Sequence, residues 1–279
     1  MRKALAHLVV LLAVPALATA GGVEISGFAG YTFPFYSQTL RWDPGPVSIP
    51  IPDVSVQQSG VFQLKASGGA ALGGSLAFFP IEAVGFELRV DRASVTVKPQ
   101  DASFDVNLTL PAPLDPVKST LSLPAGTVAL DSAKPVSLNL KLRSTGRTQV
   151  FVSGGISRLG EMNFSLRQNV AIGVSAVNLQ TGNLEIATID LRAAPAETAS
   201  HWGGNVGVGF QLPLGEHGGL VLEGRGFYFP KQAMSWEAIV ETPLGAVETQ
   251  LLQRVLERVE PVEFKPWWVQ ATIGISYRF

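Results

Sequence analysis

The chain has 279 residues but contains no cysteine, and only 15% of its residues are charged. The absence of cysteine excludes disulfide bonds, thiolate metal sites and cysteine nucleophiles. In soluble domains roughly a quarter of the residues are usually charged. Here the charged share is lower, and 46% of the residues are hydrophobic. High hydrophobicity with a net charge of only −1 excludes intrinsic disorder and gives no argument for nucleic-acid binding.

Long apolar runs are also missing from the sequence. A helix needs about 20 consecutive apolar residues to cross a bilayer, and the longest apolar run, Leu8 to Ala18, has 11. The 29 glycines and 19 prolines disfavour long helices in the rest of the chain. The hydrophobic residues are therefore expected in β-strands.

Residues 1–20 have the pattern of a secretory signal peptide. Arg2 and Lys3 form a basic start, an apolar run follows, and Ala18-Thr19-Ala20 matches a cleavage site. An uncleaved membrane anchor is the alternative, but the run is short for a membrane span. The sequence therefore predicts a signal peptide over 1–20 and a single exported domain over 21–279.

The last 13 residues alternate between apolar and polar positions, which is the period of a β-strand. The apolar face consists of Trp267, Val269, Ala271, Ile273, Ile275, Tyr277 and Phe279. The opposite face consists of Gln270, Thr272, Gly274, Ser276 and Arg278. Aromatic residues at both ends of an apolar face are typical of a strand that faces lipid.

The same alternation recurs upstream, in segments that together supply eight to ten spanning strands. The clearest are 23–33, 84–91, 205–212 and 220–228, and less regular ones are 61–79, 136–143, 148–158, 167–178 and 184–193. All candidates together with the last segment make ten strands. Treating 136–147 as a loop and 159–166 as a turn reduces the number to eight. We favour ten.

Short and long connections alternate along the chain. The short ones lie at 79–82, 144–147, 180–183 and 213–218, and the long ones at about 34–60, 99–135 and 231–265. Short periplasmic turns and long external loops are typical of outer-membrane barrels. The sequence therefore predicts an all-β fold, an antiparallel up-and-down transmembrane β-barrel with both termini on the periplasmic side.

Two of the long connections contain regular patterns of their own. Ser103 to Leu110 alternates like a strand and is expected to extend the sheet beyond the membrane. In the last loop, Leu244, Val247, Leu251, Val255 and Val259 are spaced like the apolar side of a short amphipathic helix. We expect this helix to pack over the barrel rim. The alternatives are a plug in the pore and a surface that binds a partner.

Taken together, the chain resembles small outer-membrane β-barrel proteins of the OmpA/OmpX/OmpW-like superfamily. The resemblance is carried by the signal peptide, the strands rich in glycine and aromatic residues, and the C-terminal residues Ile273, Ile275, Tyr277 and Phe279. In that superfamily, such an ending resembles the signal that the barrel-assembly machinery reads. The resemblance implies location in the outer membrane, with membrane lipid and the assembly machinery as partners and no cofactor.

Five charged residues fall on the inner faces of the predicted strands: Glu87, Arg89, Glu223, Arg225 and Arg278. Side chains largely fill the interior of a barrel of this size, so opposite charges inside are expected to pair across the lumen. A structural network of ion pairs is one interpretation. The other is a narrow path for ions or solutes, in which these charges set the selectivity.

Catalytic and metal sites have little support in the sequence. His201 is expected at the external rim, but the adjacent Ser200 points to the opposite face of its strand, and His217 lies in a short turn. No metal site is predicted. We therefore expect a protein without enzymatic activity that has a structural, adhesive or envelope-contact role and little solute passage. The alternatives are a narrow-channel porin, an outer-membrane hydrolase or acyltransferase, and a soluble exported β-sandwich.

Overall fold

A computed structural model describes residues 22–43, 45, 47–48, 55–113, 115–130, 132–160, 164–178, 183–195, 200–239, 249, 252–253 and 256–279. The predicted signal peptide and most of the predicted turn at 180–183 lie outside these residues. Within them, no helix combines the length and the apolar character that a membrane crossing requires.

The described residues form 17 strands and are almost entirely β-structure. In chain order the strands are β1 (Gly22–Pro34), β2 (Ser37–Trp42), β3 (Val47–Ser48), β4 (Ser55–Ile81), β5 (Val84–Pro99), β6 (Ala102–Thr109), β7 (Val117–Leu123), β8 (Thr127–Leu130), β9 (Pro135–Arg143), β10 (Gln149–Leu159), β11 (Phe164–Asn178), β12 (Asn183–Pro195), β13 (His201–Leu214), β14 (Gly218–Tyr228), β15 (Gln232–Ile239), β16 (Val262–Phe264) and β17 (Trp268–Arg278).

Eight of these strands close into an antiparallel barrel in the order β1, β17, β14, β13, β10, β9, β5, β4 and back to β1. The first and last strands pair from Glu24 opposite Arg278 to Pro34 opposite Trp268. On its other side, β1 pairs with β4, which completes the ring. Closure leaves no unpaired strand edge in the ring, as a sheet surrounded by hydrocarbon requires. The predicted fold class is confirmed.

Burial alternates along the barrel strands with the polar side inward. On β5, Phe86, Leu88 and Val90 are about half exposed, whereas Glu87 and Arg89 between them are 2% and 1% exposed. The same inside-out pattern holds on the other barrel strands, so the apolar side chains face the surroundings. This arrangement contradicts the soluble β-sandwich alternative, in which the apolar faces would be buried together.

The number of barrel strands is eight, and the preference for ten was wrong. Segments 167–178 and 184–193 alternate like spanning strands but pair with each other as β11 and β12 in a second sheet. The eight-strand alternative omitted the wrong segment, because residues 136–143 form the barrel strand β9 between β5 and β10. Alternation shows that a strand has one apolar and one polar face, but it does not distinguish a strand that faces lipid from a strand in a layered sheet.

The predicted long loops are mostly strands, which build a structure that we call the cap at the end of the barrel opposite the termini. The cap contains β2, β3, β6, β7 and the outer parts of β4 and β5, together with the second sheet. The strands of the second sheet lie in the order β16, β15, β12, β11, β8. As expected, a strand forms in the 103–110 segment: β6 (Ala102–Thr109), which pairs with β4. The buried face of β6 and the buried face of the second sheet form one apolar core. Within this core, Phe62 of β4 packs edge-on against Trp236 of β15.

The predicted amphipathic segment in the last connection is helical at Thr249, Leu252, Gln253 and 256–258. Leu252 and Val259 are buried in the cap core. The predicted apolar positions 244, 247, 251 and 255 lie outside the described residues. The described part of the segment therefore packs against the cap core, and its packing over the barrel rim stays a prediction.

Candidate functional site

The barrel interior brings together four of the five charged residues that the sequence singles out. Glu87 and Arg89 lie on β5, and Glu223 and Arg225 lie on β14, four strands away in either direction around the ring. Arg89 Nη1 is 2.5 Å from Glu223 Oε2, and Arg225 Nη2 is 3.1 Å from Glu87 Oε2. Two ion pairs therefore cross the full width of the lumen.

Arg225 is the centre of this network. Its guanidinium donates to Glu223 on its own strand at 2.8 Å and to Ser153 Oγ on β10 at 2.6 Å. It also donates to Asn205 Oδ1 on β13. With the pair to Glu87, one side chain connects four strands of the wall. A planar fork of several donors makes Arg suited to such a position.

Sequence reasoning did not select the rest of the network. Lys141 on β9 bonds Glu24 on β1 at 2.9 Å, and Arg143 bonds the same carboxylate at 3.2 Å. Lys141 also lies 4.0 Å from Glu87, which links the two groups, and Asp91 pairs with Arg89 at 2.9 Å. Glu24 and Asp91 lie on the inner faces of regularly alternating segments, so the same alternation that selected Glu87 and Arg89 could have identified them.

The buried charges inside the barrel balance. The carboxylates of Glu24, Glu87, Asp91 and Glu223 carry four negative charges, and Arg89, Lys141, Arg143 and Arg225 carry four positive charges. All eight residues are at most 8% exposed, and each takes part in an ion pair. Pairing of this kind is what allows charges to be removed from water.

Amides, hydroxyls and aromatic rings fill the space around the charges. Asn205 donates to Asn139 and to Ser157, both at 2.8 Å, and Asn139 donates to Glu87 at 2.8 Å. The Arg89 guanidinium lies 3.8 Å from the centre of the Phe28 ring, a cation–π contact. The interior is therefore packed with side chains.

Gly207 on β13 shows how closely the interior is packed. A Cβ atom at this position would collide with Glu223 Oε1 and would come within 3.1 Å of the Arg225 guanidinium. The missing side chain leaves room for the Glu223–Arg225 pair against the wall. This is the role that the glycine-rich inner faces suggest.

Arg278, the fifth predicted inner charge, lies farther toward the end of the barrel, within electrostatic reach of Arg143. It is only partly buried, at the end of the barrel that holds the short turns, where it lines a small hollow of about 90 Å³ with Arg147 and His217. Its position is therefore the mouth of the barrel. The four residues of the predicted assembly signal, Ile273, Ile275, Tyr277 and Phe279, point outward and are about half exposed or more.

An aromatic stack lies at the cap end of the lumen. The Trp268 ring packs between Phe227 and Phe229, with centroid distances of 5.2 and 5.4 Å and nearly parallel planes. All three rings are at most 3% exposed and belong to the same core as the cap. The cap core therefore continues into the barrel and covers the charge network.

The candidates for catalysis and metal binding remain isolated. Ser200 Oγ accepts a hydrogen bond from Arg158 Nη2 at 3.1 Å, and His217 is exposed in the turn before β14. Across the described part of the chain, no three His, Asp or Glu side chains are grouped as metal ligands. These observations give no support to a hydrolase site at Ser200 and His201.

A closed eight-stranded sheet with an apolar exterior and a packed ionic interior defines the class of this protein as a transmembrane β-barrel. No protein-family model matches the chain, and no curated protein matches it. It is similar in structure to the outer membrane protein OprG from Pseudomonas aeruginosa, with 14% identity over 93% of this chain and 97% of that one, and a TM-score of 0.45.

Two further similar structures are the outer membrane protease OmpT from Escherichia coli and the N-terminal β-barrel domain of Pseudomonas aeruginosa OprF. For OmpT the identity is 9% over 94% of this chain and 98% of that one, with a TM-score of 0.37. For OprF the identity is 11% over 93% and 98%, with a TM-score of 0.36. These values carry no inference about activity, so the class rests on the barrel of this protein itself.

Proposed function

We propose that this protein is an integral outer-membrane barrel that does not conduct solutes and has a structural, adhesive or envelope-contact role through its cap. The observation that carries the proposal is the double closure of the lumen. A balanced ionic network fills the barrel interior, and the aromatic stack of Phe227, Trp268 and Phe229 covers it. The proposal assigns the protein no catalytic role.

The narrow-channel alternative requires charges that face water along a path. Charges that set selectivity act on passing ions, so they must remain hydrated and available. In this barrel, Arg89 and Arg225 are 1% exposed and already hold carboxylates on the opposite wall. An ion would have to break these pairs to pass, and would then meet the apolar cap core.

We expect the purified full-length protein to show no discrete openings in planar lipid bilayers. The variant Glu223→Ala/Arg225→Ala should also stay near zero conductance, because the aromatic stack and cap remain in place above the network. The measurement is single-channel current over a range of voltages, with a known porin inserted under the same conditions as a positive control. Stable, ohmic openings of the unmodified barrel would support the porin alternative instead.

The cap is the part of the protein that the proposal assigns to contact. All the elaborated connections lie at one end of the barrel, whereas the termini and the short turns 82–83, 144–148 and 215–217 lie at the other. In outer-membrane barrels the short turns face the periplasm. The cap would therefore stand outside the cell, where it can meet other surfaces.

Cysteine labelling in whole cells tests this orientation, because the chain has no cysteine of its own. Ser119 is exposed on the cap strand β7, and Glu216 is exposed in the turn between β13 and β14. We expect a membrane-impermeant maleimide to label Ser119→Cys on intact cells and Glu216→Cys only after the outer membrane is opened. The unsubstituted protein is the blank. The reverse labelling pattern would contradict the proposed orientation.

A further inference from the structure

Among the described residues, two grooves of similar size on the outer wall of the barrel differ in charge. The first has a volume of about 580 Å³ and is lined by Leu72, Leu76, Leu88 and Val90, with Arg92 and Lys134 at one end. The second has about 600 Å³ and is lined by outward side chains such as Val208, Leu222 and Ile273. None of the residues that line the second groove is Lys or Arg.

Gly74, which lines the first groove, faces a second glycine across the strand pair on the lipid side. Gly27 of β1 lies directly opposite Gly74 of β4, and their neighbours on the same face are Ile25, Ala29, Leu72 and Leu76. A Cβ atom at Gly27 would meet nothing within 4 Å. The wall therefore has an open apolar dent, with a shape that suits a hydrocarbon chain.

Two cations stand side by side at the cap end of this groove. The register that pairs Val90 with Val136 and Ala93 with Ala133 sets Arg92 beside Lys134. Both side chains are exposed, and within the described residues neither makes an ion pair; Arg92 Nε donates only to Ser132 Oγ, at 3.2 Å. Like charges on neighbouring strands repel each other, and an anion between them would remove this cost.

The level of this cation pair matches the edge of the membrane. Arg92 lies opposite Leu72, two residues from Ala70, which is opposite the outward-facing Tyr31. Tyr31 and Phe33 contact each other on the outer face at that height, as aromatic residues do at membrane interfaces. Lipid phosphate groups occupy the same zone, where Lys and Arg attract them.

We propose that this groove is a specific site for a phosphate-bearing lipid of the leaflet on the cap side. One acyl chain lies along Leu72, Gly74 and Leu76, and the phosphate is held by Arg92 and Lys134. The inference rests on the proposed membrane function. It adds a ligand class and a binding site that the fold alone does not supply.

Native mass spectrometry of the full-length barrel, released from detergent micelles containing diacyl phosphatidic acid, tests the proposal. We expect one retained lipid per barrel, and for Arg92→Ala/Lys134→Ala an affinity lower by about tenfold or more. The variant Lys65→Ala/Lys98→Ala is the matched control, because it removes another exposed pair of cations on adjacent strands and should bind normally. Equal loss in both variants would overturn the site.

Variants of the two grooves test the acyl-chain part of the proposal. Gly27→Leu places a side chain directly opposite Gly74 of the charged groove and should weaken binding, whereas Gly224→Leu, at an equally unobstructed position in the second groove, should not. Phosphatidylcholine of the same chain length and inorganic phosphate should both bind more weakly than phosphatidic acid. Equal binding of inorganic phosphate would show a simple anion site and would overturn the lipid proposal.

Gel mobility distinguishes failure of the lipid site from failure of the barrel proposal, because a folded barrel migrates differently in unheated and boiled samples. Each variant must first show the heat-dependent mobility of a folded barrel. A folded, membrane-inserted barrel that binds all three ligands equally would overturn the lipid site and leave the proposed function standing. A chain that never inserts into bilayers would instead contradict the proposed function.

Discussion

Replacing Arg225 with alanine is expected to lower the free energy of unfolding by about 3–5 kcal/mol, the usual cost of removing one partner from a buried ion pair. The guanidinium holds Glu223 and Glu87 and also donates to Ser153 and Asn205. Its loss leaves two carboxylates in the lumen with fewer partners. Urea unfolding of the barrel inserted in lipid vesicles, followed by tryptophan fluorescence, measures the change.

Arg158→Ala is the matched control, because Arg158 is exposed and donates only to Ser200 among the described residues. Its removal should change stability by less than about 1 kcal/mol. The double variant Glu223→Met/Arg225→Met should cost less than Arg225→Ala alone, since it leaves fewer unpaired charges. If Arg158→Ala and Arg225→Ala destabilise the barrel equally, the network does not have the role assigned to it.

Replacing Trp268 with alanine should destabilise the protein by about 3–5 kcal/mol, the range for truncating a large buried aromatic residue. Trp268 is 2% exposed and stacks between Phe227 and Phe229, at the junction of the barrel and the cap. Truncation would leave a cavity between the cap core and the lumen, and the two would no longer pack against each other there. Besides the unfolding midpoint, faster proteolysis of the cap in the folded barrel would report this change.

The neighbouring Trp267 provides the comparison, because the same residue type stands one position away on the opposite face. It is 40% exposed, packs on Tyr228 and donates its indole N–H to the Phe229 carbonyl at 2.9 Å. Trp267→Ala should cost only about 1 kcal/mol, the value of one hydrogen bond. Equal losses for Trp267→Ala and Trp268→Ala would contradict the assignment of Trp268 to the inside and of Trp267 to the outside of the wall.

On the barrel strands that alternate regularly, the direction of each side chain could be predicted from the sequence. On β17, the outward positions 273, 275 and 277 and the inward positions 270, 272 and 276 are those that the alternation indicates. The period of a strand is two, so a single regular segment determines both faces. The same reasoning placed Glu87, Arg89, Glu223 and Arg225 inside, where the structure has them.

The number of barrel strands could not be predicted in the same way. β11 and β12 alternate as the barrel strands do, yet they pair with each other and with β8 and β15 in the cap. Their apolar faces meet another protein layer in place of lipid. Both surroundings select the same residue types, so sequence alone does not separate them.

By itself, the sequence determined that this protein is built from strands with one apolar and one polar face, and which charges lie on the polar faces. The tertiary structure alone decided that eight strands close the ring and that Arg225 meets Glu87 across the lumen. It also decided that Lys141 and Arg143 share Glu24, and that a cap covers the barrel. The physical reason is that alternation is a local property, whereas partners across a barrel depend on the strand order and register of the closed sheet.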